Sequence, residues 1–139
     1  MAKTQVNVGR QTVLTASREF NFEDLVSGEA TPVIYLKPGT RILRGWLDIT
    51  TAWDTGTTAT ISVGDTEADD VDRWLTATNA KAAALTDLLA PLTNSTINTA
   101  EAVTVTYTGT GTAPTAGVAT LYIELVEAPR TTEFNTYRG

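Results

Sequence analysis

Apolar and polar residues alternate along two neighbouring segments of the chain, residues 43–53 and 58–63. Successive side chains of a strand point to opposite sides of a sheet, so this alternation predicts two half-buried strands. Their apolar faces are expected to consist of Leu43, Leu47, Ile49, Trp53, Ala59, Ile61 and Val63. The residues between the segments, 54–57, are of the types found in turns, and the two strands are therefore predicted to form an antiparallel hairpin.

A similar alternation occurs in residues 101–107 and 118–126. Thr, Gly and Pro dominate residues 109–117 between them, which predicts a second hairpin with a long connection. A further strand is expected over residues 32–36, immediately before a Pro-Gly turn at residues 38–39.

The segment between the two predicted hairpins, residues 65–96, is interpreted as a long crossover that contains one short helix. The helix is expected within residues 81–90, where Leu85, Leu88 and Leu89 have helical spacing, and Pro91 would end it. Residues 71–75 are expected to form a single turn, from which Trp74 would pack onto a sheet. Strands separated by a long connection favour an all-β fold, either an antiparallel Greek-key sandwich or a jelly roll.

The composition supports this interpretation, because about a fifth of the residues are Thr, a β-branched residue that favours strands. The 139 residues are enough for one domain. We expect an N-terminal arm over residues 1–18, a β-sandwich domain over residues 19–126 and a C-terminal tail over residues 127–139. The sequence shows neither a secretory signal nor an apolar run of the ~20 residues that span a bilayer, so we expect synthesis in the cytoplasm and no membrane partner.

The absence of Cys and His excludes disulfides, imidazole-based catalytic triads and the usual zinc sites. The Gly-rich stretch at residues 109–112 lacks the lysine of a phosphate-binding loop. We therefore predict no enzymatic activity and no cofactor. A hydrolase would require a pair of suitably placed carboxylates, which the sequence alone does not identify.

The formal net charge is −6. The segment from Asp48 to Glu101 contains nine carboxylates and only two basic residues, Arg73 and Lys81. Nucleic acid is therefore not a predicted partner. Five of the acids, Asp65, Glu67, Asp69, Asp70 and Asp72, are close in sequence, and such a cluster has the oxygen ligands that calcium requires. It lacks the glycine and glutamate of an EF-hand loop, so a solvated loop is the preferred interpretation and a calcium site the alternative.

Residues that would bind a partner are found mainly near the two ends of the sequence. Trp46 falls on the polar face of its strand, where a tryptophan either contacts a partner or is covered by another element. The basic residues of the N-terminal arm and the aromatic residues of the tail are of types favoured at interfaces, although the tail is equally compatible with disorder. The predicted partner-binding residues are Lys3, Arg10, Arg18, Trp46, Phe134, Tyr137 and Arg138.

Several segments resemble those of small virion proteins of tailed bacteriophages. They are KPGTRIL, GWLDITTAW, TGTTATISVGD, TEADDVDRWL and TAGVATLYIELVE, and the resemblance extends over residues 32–126. It implies a capsid decoration, or cement, protein with a jelly-roll-like sandwich that binds the outer surface of an HK97-fold capsid as a dimer or trimer. The implied partners are the major capsid protein and other copies of this chain, and the implied location is the surface of the virion.

Such a protein would stabilise the shell by adhesion, with the terminal arms bridging capsid subunits. The alternative is a carbohydrate- or receptor-binding β-module of a phage tail or fibre, in which Trp46 and the acidic segment at residues 65–72 would form the binding surface. This alternative requires glycan binding by the isolated protein, which a cement protein does not need.

Overall fold

The structure of the chain is a computed structural model that describes residues 13–66, 70–88 and 101–127. These residues form eight strands and one short 3-10 helix, Phe22–Asp24. The strands are β1 (Leu14–Asn21), β2 (Ala30–Leu36), β3 (Thr40–Thr51), β4 (Thr58–Asp65), β5 (Asp70–Asn79), β6 (Ala84–Asp87), β7 (Glu101–Thr110) and β8 (Val118–Glu127).

The strands form two antiparallel sheets, which we call sheet 1 and sheet 2. Sheet 1 has the order β1-β8-β3-β6, and sheet 2 has the order β2-β7-β4-β5. Strands distant in sequence are thus neighbours, since the first strand pairs with the last and the second with the seventh. This strand order is that of a jelly roll, and it confirms the prediction of an all-β antiparallel sandwich.

Both predicted hairpins are wrong, although the strands themselves are present. β3 and β8 belong to sheet 1, whereas β4 and β7 belong to sheet 2. Residues 52–57 and 111–117 therefore cross from one sheet to the other, a gap of about 10 Å in packed sheets. Within the first crossing, Trp53 is 1% exposed and occupies the space between the sheets, which a tight hairpin turn would not allow.

The helix predicted in the crossover is also wrong within the described residues. Residues 84–87 form β6, which pairs with residues 46–49 of β3, and residues 71–75 belong to β5 and do not form a turn. The free edge of β3 supplies hydrogen-bonding partners that outweigh the weak helical preference of a short Leu- and Ala-rich segment. Trp74 is buried within β5, where it contributes to the core.

The core lies between the sheets and consists largely of the alternating residues that the sequence indicates. The most deeply buried of these include Leu47, Ile49, Trp53, Ala59, Ile61, Val63, Val103, Val105, Tyr107, Ala119, Leu121, Ile123 and Leu125. Leu43 was expected among them but is 41% exposed. The pairing of β3 with β8 shifts register between Ile42 and Arg44, so that a β-bulge turns Leu43 outward and Ile42 takes its place in the core.

The connections divide the sandwich into two ends. At what we call the terminal end, β1 begins and β8 finishes, and the chain passes from β2 to β3 through residues 37–39. At the opposite loop end are residues 22–29, 52–57, 80–83 and 111–117. Residues 14–18 of the predicted N-terminal arm are part of β1 and pair with β8. The division into arm, domain and tail stays a prediction.

The four edge strands carry features that oppose pairing with another chain. Arg18 of β1 lies opposite Leu121, on the core-facing side of sheet 1, and is nevertheless exposed. β2 contains Pro32, which donates no backbone hydrogen bond, next to a register shift. β5 has two register shifts, and β6 extends only from Ala84 to Asp87. Open-ended growth of either sheet is therefore disfavoured.

Gly64 of β4 marks a close approach between β4 and the start of β5. A Cβ atom at this position would overlap the carbonyl oxygen of Asp70 and would lie 2.5 Å from the carbonyl carbon of Val71. The neighbouring residue Val63 points into the core, so the contact lies on the outer side of sheet 2. Glycine at residue 64 allows β5 to begin directly against this surface.

Replacement of Gly64 by Ala is expected to lower the free energy of unfolding by about 1–3 kcal/mol, because the added methyl group forces the start of β5 away from β4. Urea denaturation monitored by tryptophan fluorescence would measure the loss. Thr60→Ala, on the outer side of the same strand, is the control and is expected to cost under about 1 kcal/mol. Equal losses for the two variants would contradict the close-packing explanation.

Candidate interaction surfaces

Trp46 and Tyr122 form an aromatic pair on the outer face of sheet 1. They lie directly opposite each other on β3 and β8, with ring centres 5.5 Å apart and planes inclined by 19°. The prediction that Trp46 lies on the outer face is confirmed, and Tyr122 from the neighbouring strand covers it in part. Cross-strand aromatic pairs of this kind stabilise a sheet and also leave apolar surface accessible.

An ion pair flanks these two rings. Arg44 donates from Nε to Oε2 of Glu124 at 2.7 Å and from Nη2 to Oε1 at 3.0 Å. The hydrogen bond from Arg44 and the charge of its guanidinium lower the pKa of the Glu124 carboxyl, and Glu124 raises the pKa of Arg44. The guanidinium lies 5.9 Å from the Trp46 ring centre. The bidentate pair holds Arg44 beside the rings.

The acidic segment contains a buried ion pair. Asp65 is 3% exposed and accepts a hydrogen bond from the guanidinium of Arg73, which also lies 4.4 Å from the Trp74 ring centre. The side chain of Arg73 is 17% exposed. The pair therefore joins the end of β4 to β5 at the terminal end of the core. An Asp65 carboxylate engaged in this way is poorly suited to bind a surface cation.

The other described acids of this segment, Asp70 and Asp72, lie side by side. The backbone amide of Asp72 donates to Oδ1 of Asp70 at 3.2 Å, and a hydrogen bond with Asp70 together with charge repulsion raises the pKa of Asp72. Glu67 and Asp69 lie outside the described residues. Over residues 13–66, 70–88 and 101–127, no group of three or more His, Cys, Asp or Glu is placed to hold a metal ion.

Hydrogen bonds from Thr115 and Ala116 to the carboxylate of Asp54 connect two crossings at the loop end, and we call this contact the Asp54 clasp. Asp54 accepts hydrogen bonds from the backbone amide of Thr115 at 2.6 Å, from its hydroxyl at 2.5 Å, and from the amide of Ala116 at 3.0 Å. These bonds lower the pKa of Asp54 from 3.8 to about 2. Since Asp54 and Thr115 are 61 positions apart, no local sequence signal identifies the clasp.

A cavity of about 430 Å³ opens beside this clasp. Its lining is mainly apolar and comprises Phe22, Leu25, Ser27, Tyr107, Gly109, Gly111, Thr112, Ala113 and Pro114. Burial, with the charge of Asp54, raises the pKa of Tyr107, so its phenol stays protonated at neutral pH. The cavity has the chemistry of a pocket for an apolar group. None of the predicted partner-binding residues lines it.

Only two of the predicted partner-binding residues fall in the described part of the chain. Arg18 is on β1 and Trp46 on β3, so both belong to sheet 1, but Arg18 lies on its core-facing side and Trp46 on its outer face. Lys3, Arg10, Phe134, Tyr137 and Arg138 lie outside the described residues. No helix among the described residues is long and apolar enough to cross a membrane.

No family model matches the sequence, and no curated protein matches it. Solved structures of phage capsids contain chains with a similar fold. A chain of the cyanophage Pam1 capsid asymmetric unit has a TM-score of 0.69 at 18% identity, with 91% of each chain covered. A chain of the capsid of Ralstonia phage GP4 has a TM-score of 0.63 at 16% identity, with 92% of each covered.

A third chain, from an acidic stable capsid structure of Helicobacter pylori bacteriophage KHP30, has a TM-score of 0.58 at 14% identity. The match covers 82% of this chain and 86% of that one. At these identities the likeness shows a shared fold, and it extends over nearly the whole sandwich.

Asp54→Asn is expected to lower the melting temperature by several degrees at pH 5–7, because the neutral amide accepts weaker hydrogen bonds from Thr115 and Ala116. The folded-state pKa of about 2 lies below the ordinary value of 3.8, so the carboxylate stabilises the fold above about pH 4 and loses this effect as the pH falls towards 2. The difference in melting temperature between wild type and variant should therefore shrink over this interval. Glu29→Gln, an exposed acid at the same end, is the control, and a pH-independent difference for Asp54→Asn would contradict the clasp.

Arg73→Met is expected to lower the free energy of unfolding by about 3–5 kcal/mol, because the substitution leaves the buried Asp65 carboxylate without its guanidinium. The double variant Asp65→Leu/Arg73→Met should lose less than the two single variants combined, since it removes both charges. Arg44→Met, which breaks the exposed pair on sheet 1, is the control and should have a much smaller effect. Additive losses in the Asp65/Arg73 cycle, measured by urea denaturation, would show that the pair does not act as a unit.

Proposed function

We propose that this chain is a structural protein of a tailed-bacteriophage virion that decorates the capsid. It binds the outer surface of an HK97-fold shell and stabilises the shell by bridging neighbouring capsid subunits. The proposal includes self-association as a dimer or trimer and no enzymatic activity. The observation that carries it is the match of nearly the whole sandwich to chains in three phage capsid structures.

The coverage of these matches supports the proposal. The match covers 91% of this chain and of the Pam1 chain, and 92% of this chain and of the GP4 chain. The two neighbours are therefore close to this sequence in length. Each is thus a chain of similar fold and similar length within a capsid structure.

The physical requirements of the proposed role agree with the architecture. Adhesion to a shell requires a rigid body and contacts with more than one subunit, and many copies with modest interfaces give strong cumulative stabilisation. A symmetric oligomer would match symmetry-related positions on the shell. In this proposal Lys3, Arg10 and Arg18 attract an acidic surface, and Phe134, Tyr137 and Arg138 serve as anchors.

The aromatic pair on sheet 1 favours a second candidate function, a carbohydrate-binding module of a phage tail or fibre. Trp46 is only partly covered by Tyr122 and lies beside the guanidinium of Arg44. Aromatic rings with nearby polar groups suit sugar rings, which have both apolar faces and hydroxyls. In the capsid proposal the same pair contributes to the interface with the shell.

Full-length protein is expected to bind saturably to expanded, undecorated capsids of the phage that encodes it, as measured by cosedimentation. Removal of residues 1–12 or 128–139 should weaken binding, because both segments contribute contacts, whereas both deletions leave β1 and β8 intact. Asp70→Asn, in the acidic segment, is the control and should bind as wild type does. Absence of binding by the full-length chain, together with glycan binding that is lost in Trp46→Ala, would favour the tail or fibre module.

A further inference from the structure

The cavity at the loop end has the size and the lining of a small-molecule pocket. Its volume of about 430 Å³ falls within the roughly 300–1,000 Å³ that ligand pockets occupy. The apolar part of its wall includes the side chains of Phe22, Leu25 and Pro114, and Ser27 and Tyr107 contribute hydroxyl groups. Pockets that bind small organic molecules typically combine an apolar wall with a few polar groups of this kind.

The hydroxyl of Tyr107 is the polar group that distinguishes this cavity. Tyr107 is 3% exposed, and its ring lies against that of the buried Trp53. No described residue forms a hydrogen bond with its hydroxyl. Buried polar groups normally have a hydrogen-bond partner, because an unpaired group has lost its interactions with bulk water. An acceptor atom inside the cavity would supply the partner that the described part of the chain does not.

Gly109 gives this hydroxyl its place at the cavity wall. A Cβ atom at residue 109 would overlap the hydroxyl oxygen of Tyr107 and would lie 2.6 Å from Cζ, and both residues line the cavity. Glycine at this position therefore leaves room for the phenol. The amide of Gly109 donates to Oγ of Ser27 at 3.1 Å. Because this bond uses the oxygen of Ser27 as an acceptor, the hydroxyl proton of Ser27 can be donated to a ligand.

Hydrogen bonds hold the wall of the cavity in place. The amide of Gly28 donates to the carbonyl of Tyr107 at 2.8 Å, and the amide of Phe22 donates to the carbonyl of Gly117 at 3.0 Å. These two bonds attach residues 22–28 to β7 and to the crossing before β8. The Asp54 clasp fixes the same crossing next to Pro114. The wall is thus formed without a ligand, so binding requires little further ordering of the chain.

The charges around the cavity select against ionised ligands. The described residues of its lining carry no charge, so a charged ligand would lose its water without gaining a counter-ion. Anions are disfavoured further, because the loop end, all of it within the described residues, has four acids and one basic residue. Burial and the charge of Asp54 raise the pKa of Tyr107, so its phenol stays a proton donor. The acids of the loop end are Glu23, Asp24, Glu29 and Asp54, and the basic residue is Lys81.

From these observations we infer that the cavity binds an uncharged small organic molecule that has an aromatic ring and an oxygen acceptor. The ring lies among Phe22, Leu25 and Pro114, whose side chains suit a flat apolar group. The oxygen accepts a hydrogen bond from the hydroxyl of Tyr107. A ligand without this oxygen displaces water from the hydroxyl and leaves it unpaired, so the acceptor is the source of specificity. The inference goes beyond the proposed decoration of a capsid and does not depend on it.

Titration of the full-length protein with acetophenone, followed by heteronuclear NMR, tests the site. This probe has one aromatic ring and one carbonyl oxygen, and it should shift the amide signals of Gly109 and Ala113 saturably. Ethylbenzene lacks the oxygen, and benzoate and benzylamine are charged at neutral pH, so these three probes should bind about tenfold more weakly or worse. Tyr107→Phe removes the donor and keeps the ring. It should weaken acetophenone about five- to tenfold and should not weaken ethylbenzene.

A second variant fills the cavity. Ala113→Phe adds a ring to the lining and should weaken acetophenone about tenfold or more, because the added side chain occupies the space of the ligand. Val26→Phe is the matched control at an exposed residue of the loop end outside the lining, and it should bind as wild type does. Thermal melting establishes that the variants fold.

Three results would overturn the site. They are the absence of saturable shifts with acetophenone, equal affinity for acetophenone and ethylbenzene, and binding that neither Tyr107→Phe nor Ala113→Phe weakens. Tighter binding of benzoate or benzylamine than of acetophenone would overturn the uncharged character of the ligand. Each of these results leaves the decoration role standing, because no capsid takes part in the measurement.

Discussion

Burial of Trp53 between the two sheets is the interaction on which the loop end depends. The ring lies 6.4 Å from that of Phe20 on β1 and 6.2 Å from that of Tyr107 on β7, both measured between ring centres. Gly117 packs against the indole so closely that a Cβ atom would lie 2.6 Å from Cε2, and the Trp53 amide donates to Ala80. One side chain thus contacts both sheets and the crossings that join them, and so it fixes the path of residues 52–57.

The difference between local pattern and distant pairing explains how much the sequence could predict. Alternation identified the buried residues of β3, β4, β7 and β8, since it depends on the two-residue period of each strand alone. It did not identify strand partners, because those depend on whether a connection turns back or crosses between sheets, as at Trp53. The helix expected near Leu85 failed for a related reason: pairing of residues 84–87 with β3 is a tertiary interaction that helical spacing does not reveal.

The candidate surfaces show the same difference between what the local pattern predicts and what distant pairing determines. The outward position of Trp46 was predictable from its place in the alternation, whereas its stacking on Tyr122 required the register of β3 with β8. The outward turn of Leu43 was hidden by a bulge, which shifts the period by one residue. The Asp54 clasp depends on a contact across 61 residues. The features of these candidate surfaces are thus found where local regularity is broken or where distant segments meet.

The central position of β8 in sheet 1 has a consequence for biosynthesis. β8 is the last described strand to leave the ribosome, yet it lies between β1 and β3, and β1 has its backbone partners on β8. Contacts between residues so distant in sequence slow folding, and here they postpone completion of the sheet until translation has passed Glu127. A chain released early, without β8, leaves β1 unpaired and the core open. The sandwich can therefore close only after the segment that forms β8 has been synthesised.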